Sequence, residues 1–257
     1  MTDVPENAPA QEAWDANAEF WLRIIRDHRD RYRTELTDSA VLGAIGDVTN
    51  MDILDVGCGE GYMTRELASR GAHQVNGIDT SRELVKAAEA AMVPGTSFSE
   101  ANAGDLQFQA ESFDLVLANH VLNDLPDIDG PVGEFARVLR PGGRFIALML
   151  HPCFYEDNAE RTPGSHMLSA GEYFTRRGVK LPFEVDGLTS PAASTSWVRP
   201  LESYTEALTG NGLAITRLTE PHPSEQQVAS SQWWQENFPR PLFLLITARK
   251  LSGVAGI

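Results

Sequence analysis

The run Ile53-Leu54-Asp55-Val56-Gly57-Cys58-Gly59-Glu60-Gly61 carries the densest chemical signal in the chain. An apolar stretch delivers three glycines to the start of a helical pattern, where the backbone must turn tightly and let a ligand come close. A G-x-G alone is weak, since other tight turns use it. Here a strand pattern precedes it, a helix pattern follows, and Asp79 ends the next strand 20 residues beyond Gly59. A carboxylate in that place can accept hydrogen bonds from ribose hydroxyls. The spacing predicts a ligand that contains a nucleoside.

Two ligands compete for that loop. A nicotinamide dinucleotide site needs a small residue three positions after the second glycine, and Tyr62 stands there instead. The pattern is G-x-G-x-G, with Asp55 two residues before the first glycine. An acidic group beside the loop would repel a pyrophosphate but suits a ligand bearing an ammonium and a sulfonium. Electrostatics favours S-adenosylmethionine, with its sulfonium beside Asp55, over NAD.

On these residues the sequence resembles the class I S-adenosylmethionine-dependent methyltransferases, in particular the small-molecule branch known as type 11. The likeness runs from about Met51 to Leu150 and resumes from Arg199 to Lys250. Phe113-Asp114-Leu115-Val116 looks like the family's fourth strand, and Val138-Leu139-Arg140-Pro141-Gly142-Gly143 like its turn into the fifth. The resemblance implies a Rossmann-like, doubly wound α/β fold with a seven-stranded sheet whose last strand is antiparallel. It places the cofactor against Asp55, Gly57, Cys58, Gly59, Gly61, Asp79, Thr80, Asp105, Leu106 and Asn119. Asp79 would hold the ribose, and Asp105 would meet the adenine amino group.

Methyl transfer is an in-line displacement at carbon, so protein groups mainly orient the acceptor and sometimes remove a proton. His120 follows the fourth strand as a candidate general base and His151 ends the fifth as a candidate substrate-orienting or basic group, each against the reading of a histidine that only packs. Candidate acceptor-binding residues are Trp14, Trp21 and Tyr32 in the N-terminal helices, Tyr155 and Tyr173 in the insertion, and His222 near the end. His166, Phe183 and the Trp233-Trp234 pair are further candidates for lining. Cys58 and Cys153 have no CxxC partner and no cluster has metal-ligand spacing, so neither a metal nor a disulfide framework is expected.

The elements that must position these groups can be read from periodicity. Residues 1–10 read as a tail, Gln11–Arg33 as a helix, and Asp38–Ile45 as a second helix capped by Asp38 or Ser39. Strands follow at Met51–Val56, Gln74–Asp79, Thr96–Asn102, Phe113–Ala118 and Arg144–Leu150, alternating with helices at Tyr62–Arg70, Ser81–Ala91 and Pro131–Leu139. That alternation predicts βαβ units and a parallel sheet. The stretch from His151 to Pro200 breaks the rhythm and is expected to be an insertion covering something. A helix at Leu201–Thr209 and strands at Leu213–Leu218 and Leu242–Arg249 complete the core. The organisation expected is 1–50 tail and cap helices, 51–150 cofactor core, 151–200 insertion and 201–257 the rest of the sheet.

Composition narrows the function. With 21 Lys+Arg against 36 Asp+Glu the formal charge is −15, which repels nucleic acid and disfavours anionic membranes. The N-terminus lacks the basic and apolar regions of a signal peptide, so a cytoplasmic location is expected. Macromolecular acceptors usually need a basic track or an added domain. The acidic surface and the long aromatic insertion therefore predict a small, uncharged or cationic, partly aromatic acceptor, and the family resemblance implies a methyl-transfer step in secondary-metabolite tailoring. An NAD-dependent oxidoreductase and a non-catalytic cofactor-binding protein are the alternatives, and homo-oligomerisation is open.

Overall fold

The computed structural model describes residues 8–154 and 170–252. In chain order the elements are α1 (Ala8–Arg26), α2 (Asp38–Ile45), β1 (Asp52–Val56), α3 (Tyr62–Ser69), β2 (Gln74–Asp79), α4 (Arg82–Ala90), β3 (Thr96–Glu100), β4 (Phe113–Asn119), α5 (Asp129–Val138) and β5 (Leu139–Leu150). The insertion contributes α6 (Ala170–Tyr173), β6 (Arg177–Leu181), β7 (Glu184–Val185), β8 (Leu188–Thr189) and β9 (Ser194–Val198). The chain then forms α7 (Leu201–Gly210), β10 (Leu213–Thr219), α8 (Glu225–Ser230), α9 (Gln232–Asn237) and β11 (Phe243–Lys250).

Seven strands form one sheet in the order β10-β11-β5-β4-β1-β2-β3. β11 runs antiparallel between β10 and β5, while β1 to β5 pair in parallel. This is the doubly wound sheet that the alternation of elements predicts. Successive residues of the central strands alternate between faces. Leu54, Val56 and Val116 join Phe135, Phe145 and Tyr204 on one side, while Ile53, Leu115 and Leu117 join Leu67, Ile146 and Trp234 on the other. Both faces are dry, which is why these strands are almost continuously apolar. Each such side chain contributes about 1.5–3 kcal/mol by leaving water.

Several boundaries differ from the sequence reading. α1 begins at Ala8, inside the expected tail, and stops at Arg26 because the chain turns at His28 with φ +53°. A π-helical turn at Arg33–Thr37 then runs straight into α2, so Thr37 and not Asp38 or Ser39 is the residue before its first turn, with no side-chain cap. β5 starts at Leu139: Pro141-Gly142-Gly143 lies in a register shift between the Phe113–Leu139 and Leu115–Arg144 pairs rather than ending the element. The insertion is more regular than its composition suggests, with the β7–β8 hairpin nested inside the β6–β9 hairpin. Among the described residues no helix is long and apolar enough to cross a membrane.

Candidate active site

β1 lies where strand order reverses, with β2 on one side and β4 on the other. Ligands of such sheets bind beyond the carboxyl ends of the strands at this switch point. A cavity of about 840 Å³ opens there, floored by Gly57, Cys58, Gly59 and Glu60. Gly57 has φ +67°, and a Cβ on it would stand 2.4 Å from a methyl of Val121. Gly61 opens α3 in the left-handed region, and its missing Cβ makes room for the Phe98 ring. The loop is tied down by the Cys58 N–H donating to Ile78 O at 2.9 Å and the Gly59 N–H donating to Asp79 Oδ2 at 2.8 Å.

Asp79 ends β2 at the cavity wall, its second oxygen accepting from the Ser81 N–H at 2.8 Å. Burial raises its pKa, and backbone donors act against that rise. Asp55 is placed differently. Its carboxylate is buried beneath the loop, accepts from the Thr64 hydroxyl at 2.6 Å and does not line the cavity. Burial pushes it up to about 7. The sequence reading set this carboxylate against a sulfonium; the structure uses it to fasten α3 to β1.

After β3 the lining residues are Ala101, Asn102 and Ala103. Asp105, the expected adenine contact, and Leu106, an expected cofactor-binding residue, lie off the cavity. Asp105 is exposed in a turn closed by its N–H to Asn102 O, and Leu106 is buried in the core beside α5, its N–H donating to Glu134. The signal that could have found Asn102 is its position, two residues after β3 ends. Gly61 is likewise turned toward Phe98 and Ala88 rather than into the cavity. Thr80, Asn119, Gly57, Cys58 and Gly59 do line it.

His120 lines the cavity at the end of β4, with φ +60° and its N–H donating to Leu148 O at 2.8 Å. Burial pushes its pKa down to about 4, so the ring is neutral at physiological pH. Its ring meets Phe243 edge-on at 5.8 Å, and Tyr32 packs against both Phe243 and Trp233. His151 faces elsewhere. It is buried outside the cavity, with Nε2 on Glu220 at 3.0 Å and Nδ1 accepting from the Cys153 N–H.

Trp14, Trp21 and Tyr32 line the cavity, joined by Phe183 at 5.5 and 5.0 Å from the two tryptophans. Tyr173 and His222 do not: the Tyr173 hydroxyl accepts from the Leu201 N–H, and His222 is exposed beside Glu220 O. Tyr155 and His166 lie outside the described residues. Of the tryptophan pair, Trp233 lines the cavity and Trp234 is core, its indole N–H donating to Glu35 at 2.9 Å. Sequence reasoning missed Asn123 and Asp124, which also line the cavity; both follow β4 in the segment that carries His120. Cys58 and Cys153 are free thiols, and no group of metal-ligating side chains occurs among the described residues.

The roof is fastened by a few long-range bonds. Asn17, wholly buried, donates to Ala192 O at 3.0 Å and Ser194 Oγ at 3.2 Å and accepts from the Ala192 N–H at 2.9 Å. Arg29 pairs with Asp186 on the β7–β8 turn at 2.8 Å. Asp15 accepts from the Ser81 hydroxyl at 2.6 Å, which sets α1 over the start of α4.

Residues 54–147 match the family model described as a methyltransferase domain. Over 170 residues the chain is 30% identical to a ubiquinone biosynthesis O-methyltransferase of Xanthomonas oryzae pv. oryzae, covering 64% of this chain and 67% of that relative. The chain belongs to the class I S-adenosylmethionine-dependent methyltransferases. This methyltransferase is also 30% identical over 175 residues to a trans-aconitate 2-methyltransferase of Deinococcus radiodurans, spanning 66% of this chain and 62% of the relative. A solved S-adenosylmethionine-dependent methyltransferase of Mesorhizobium loti matches with a TM-score of 0.65 at 28% identity, covering 82% of this chain and 95% of its own. The cofactor is S-adenosylmethionine. Two observations suit it. Asn119 Oδ1 is buried against the cavity wall with no partner among the described residues, an acceptor for an ammonium group. Tyr62, capped by Arg33 at 4.7 Å and bonded to Asp38, fills the space a dinucleotide's helix contact would need.

Proposed function

We propose that this methyltransferase modifies a small organic acceptor, in a tailoring step of natural-product metabolism. One observation carries the reading: a single cavity joins the glycine loop and Asp79 to an aromatic compartment formed by Tyr32, Trp233, Phe243, Trp14 and Phe183. Its volume lies within the usual ~300–1,000 Å³ range of small-molecule sites, near the upper end, which suits two ligands side by side. The curated relatives named above act, by their names, on small metabolites, which supports the same class here.

The cofactor supplies a methyl group already activated on a sulfonium, so the chain contributes position and proton handling. Asp79 and Thr80 would hold the ribose; Ala101, Asn102 and Ala103 would bound the adenine; Asn119 Oδ1 and the Gly57–Gly59 backbone would receive the amino acid end. His120, neutral and wedged against Phe243, accepts a hydrogen bond from the acceptor rather than carrying a charge. The roof of α1 and the β7–β8 hairpin excludes water from the reacting centre. Incubating the protein with S-adenosylmethionine and a panel of aromatic small molecules, and following S-adenosylhomocysteine by mass spectrometry, tests the reading. Turnover is expected with small acceptors; turnover confined to protein or RNA acceptors would refute it.

A further inference from the structure

We propose that Asp124 is the acceptor-binding carboxylate of this cavity, that it selects an aromatic amine arriving as its ammonium, and that nitrogen is the methylated atom. The proposal rests on the small-molecule methyltransferase reading above.

Asp124 stands in the segment after β4 and lines the cavity with Asn119, His120, Val121 and Asn123. Its Oδ1 accepts from the Asn123 amide at 2.7 Å; among the described residues its other oxygen has no hydrogen-bond partner. β9 closes over this segment, the Trp197 N–H donating to Asn123 O at 2.6 Å, and Ser196 of the same strand reaches the cavity. β9 thus holds the segment in place, and Asp124 presents to the ligand space an oxygen with no hydrogen-bond partner among the described residues.

Charge balance around the cavity selects the ligand's sign. Three arginines line it, and each already holds a carboxylate: Arg29 on Asp186, Arg31 on Glu35 and Arg33 on Asp38. Each of these guanidinium charges is thereby offset by a carboxylate, so none brings a net positive charge to the cavity. Asp124, by contrast, has no ion-pair partner among the described residues. The charged or titratable groups that face it are Asp79 from β2 and Tyr204 from α7. The Arg199 guanidinium lies over the Tyr204 ring at 5.7 Å and donates to Leu125 O. An ammonium is the partner this arrangement lacks, and the aromatic walls suit a flat body behind it.

The proton chemistry agrees. Burial pushes Asp124 up to about 8 and His120 down to about 4, so Asp124 and not His120 is the group that takes the proton. In the reactive step an ammonium N–H bond breaks, its electron pair staying on nitrogen, and the proton bonds to the free oxygen of Asp124. The nitrogen pair then forms the new bond to the methyl carbon, and the carbon–sulfur pair departs on sulfur as S-adenosylhomocysteine. The product is a protonated N-methyl amine.

Calorimetry on the chain saturated with S-adenosylhomocysteine tests this, using phenethylamine, phenethyl alcohol and phenylacetate as probes. Phenethylamine is expected to bind at least tenfold tighter than the other two and, at pH 7, to release close to one proton as Asp124 ionises. Asp124→Asn should lose the tenfold preference and the proton release while S-adenosylhomocysteine affinity stays within twofold, which shows that the variant is folded. Equal binding of the alcohol or the acid, no amine binding, or an Asp124→Asn protein that keeps both signatures would overturn the proposal. Failure of S-adenosylhomocysteine to bind the wild-type chain would instead overturn the underlying reading, and the proposal with it.

Discussion

The floor and the roof of the cavity are built by opposite means. The floor is backbone: beside Gly57, the N–H groups of Cys58 and Gly59 are fixed on Ile78 and Asp79, 20 residues away, at the end of a sheet buried on both faces. The roof is side chain: Asn17 of α1 reaches Ala192 and, in β9, Ser194, and Arg29 reaches Asp186 on the β7–β8 turn, partners more than 150 residues distant. A floor of that kind tolerates little change and commits the chain to one cofactor. A roof held by a few polar contacts can be altered without unfolding the sheet, so acceptor choice can change while cofactor chemistry stays.

If that contrast is right, damage to the floor should cost most. Gly57→Val must fit a branched side chain at φ +67° against Val121, and S-adenosylhomocysteine affinity should fall at least 100-fold by calorimetry. Asp79→Asn keeps the shape but removes a charged acceptor, and about 1.5–3 kcal/mol of cofactor binding should go with it. Asn17→Ala breaks the roof alone. About 1–3 kcal/mol of local stability should be lost, seen as faster hydrogen exchange across β6 and β9, with cofactor affinity reduced far less. Equal losses in both measurements would erase the distinction between the two regions.

The pH dependence sharpens it further. His120 binds its proton only near pH 4 when folded, against about 6.5 unfolded, so its contribution is present above pH 6.5 and fades as pH falls toward 4. Asp55 and Asp124, held near 7 and 8, act in the opposite sense and stabilise the fold as pH falls toward their unfolded range. The comparison with His120→Asn isolates the histidine: wild type should lose about 1–2 kcal/mol relative to the variant between pH 7 and pH 5 in urea denaturation. The smallest effect is expected at Asp105→Ala, which should leave cofactor affinity within twofold because that side chain is exposed away from the cavity.

What the sequence revealed follows the same division. The strand–loop–helix run and Asp79 were legible because their geometry depends on neighbours in sequence, and β11 because an antiparallel central strand must be apolar on both faces. Side-chain direction was not. Asp55 turns down to Thr64 and Asp105 turns outward, although both lie within three residues of cavity lining. His151 ends the expected strand but is drawn to Glu220 from β10's far end, a pairing across 69 residues that no local pattern encodes. Asp124 was overlooked because a carboxylate after a strand looks like an ordinary turn residue. Only the closing of β9 over its neighbour reveals it as an interior group.

The Asn17 clamp also sets a timetable for the nascent chain. Asn17 leaves the ribosome long before Ala192 and Ser194, its partners across 175 and 177 residues. At about 5–20 residues per second, that delay is on the order of ten to forty seconds. The first five strands emerge in that interval, while the indoles of Trp14 and Trp21 still lack the Phe183 ring that packs against them. Fastening of the roof by Asn17 is therefore a late event of biogenesis, possible only once Ala192 and Ser194 have been made.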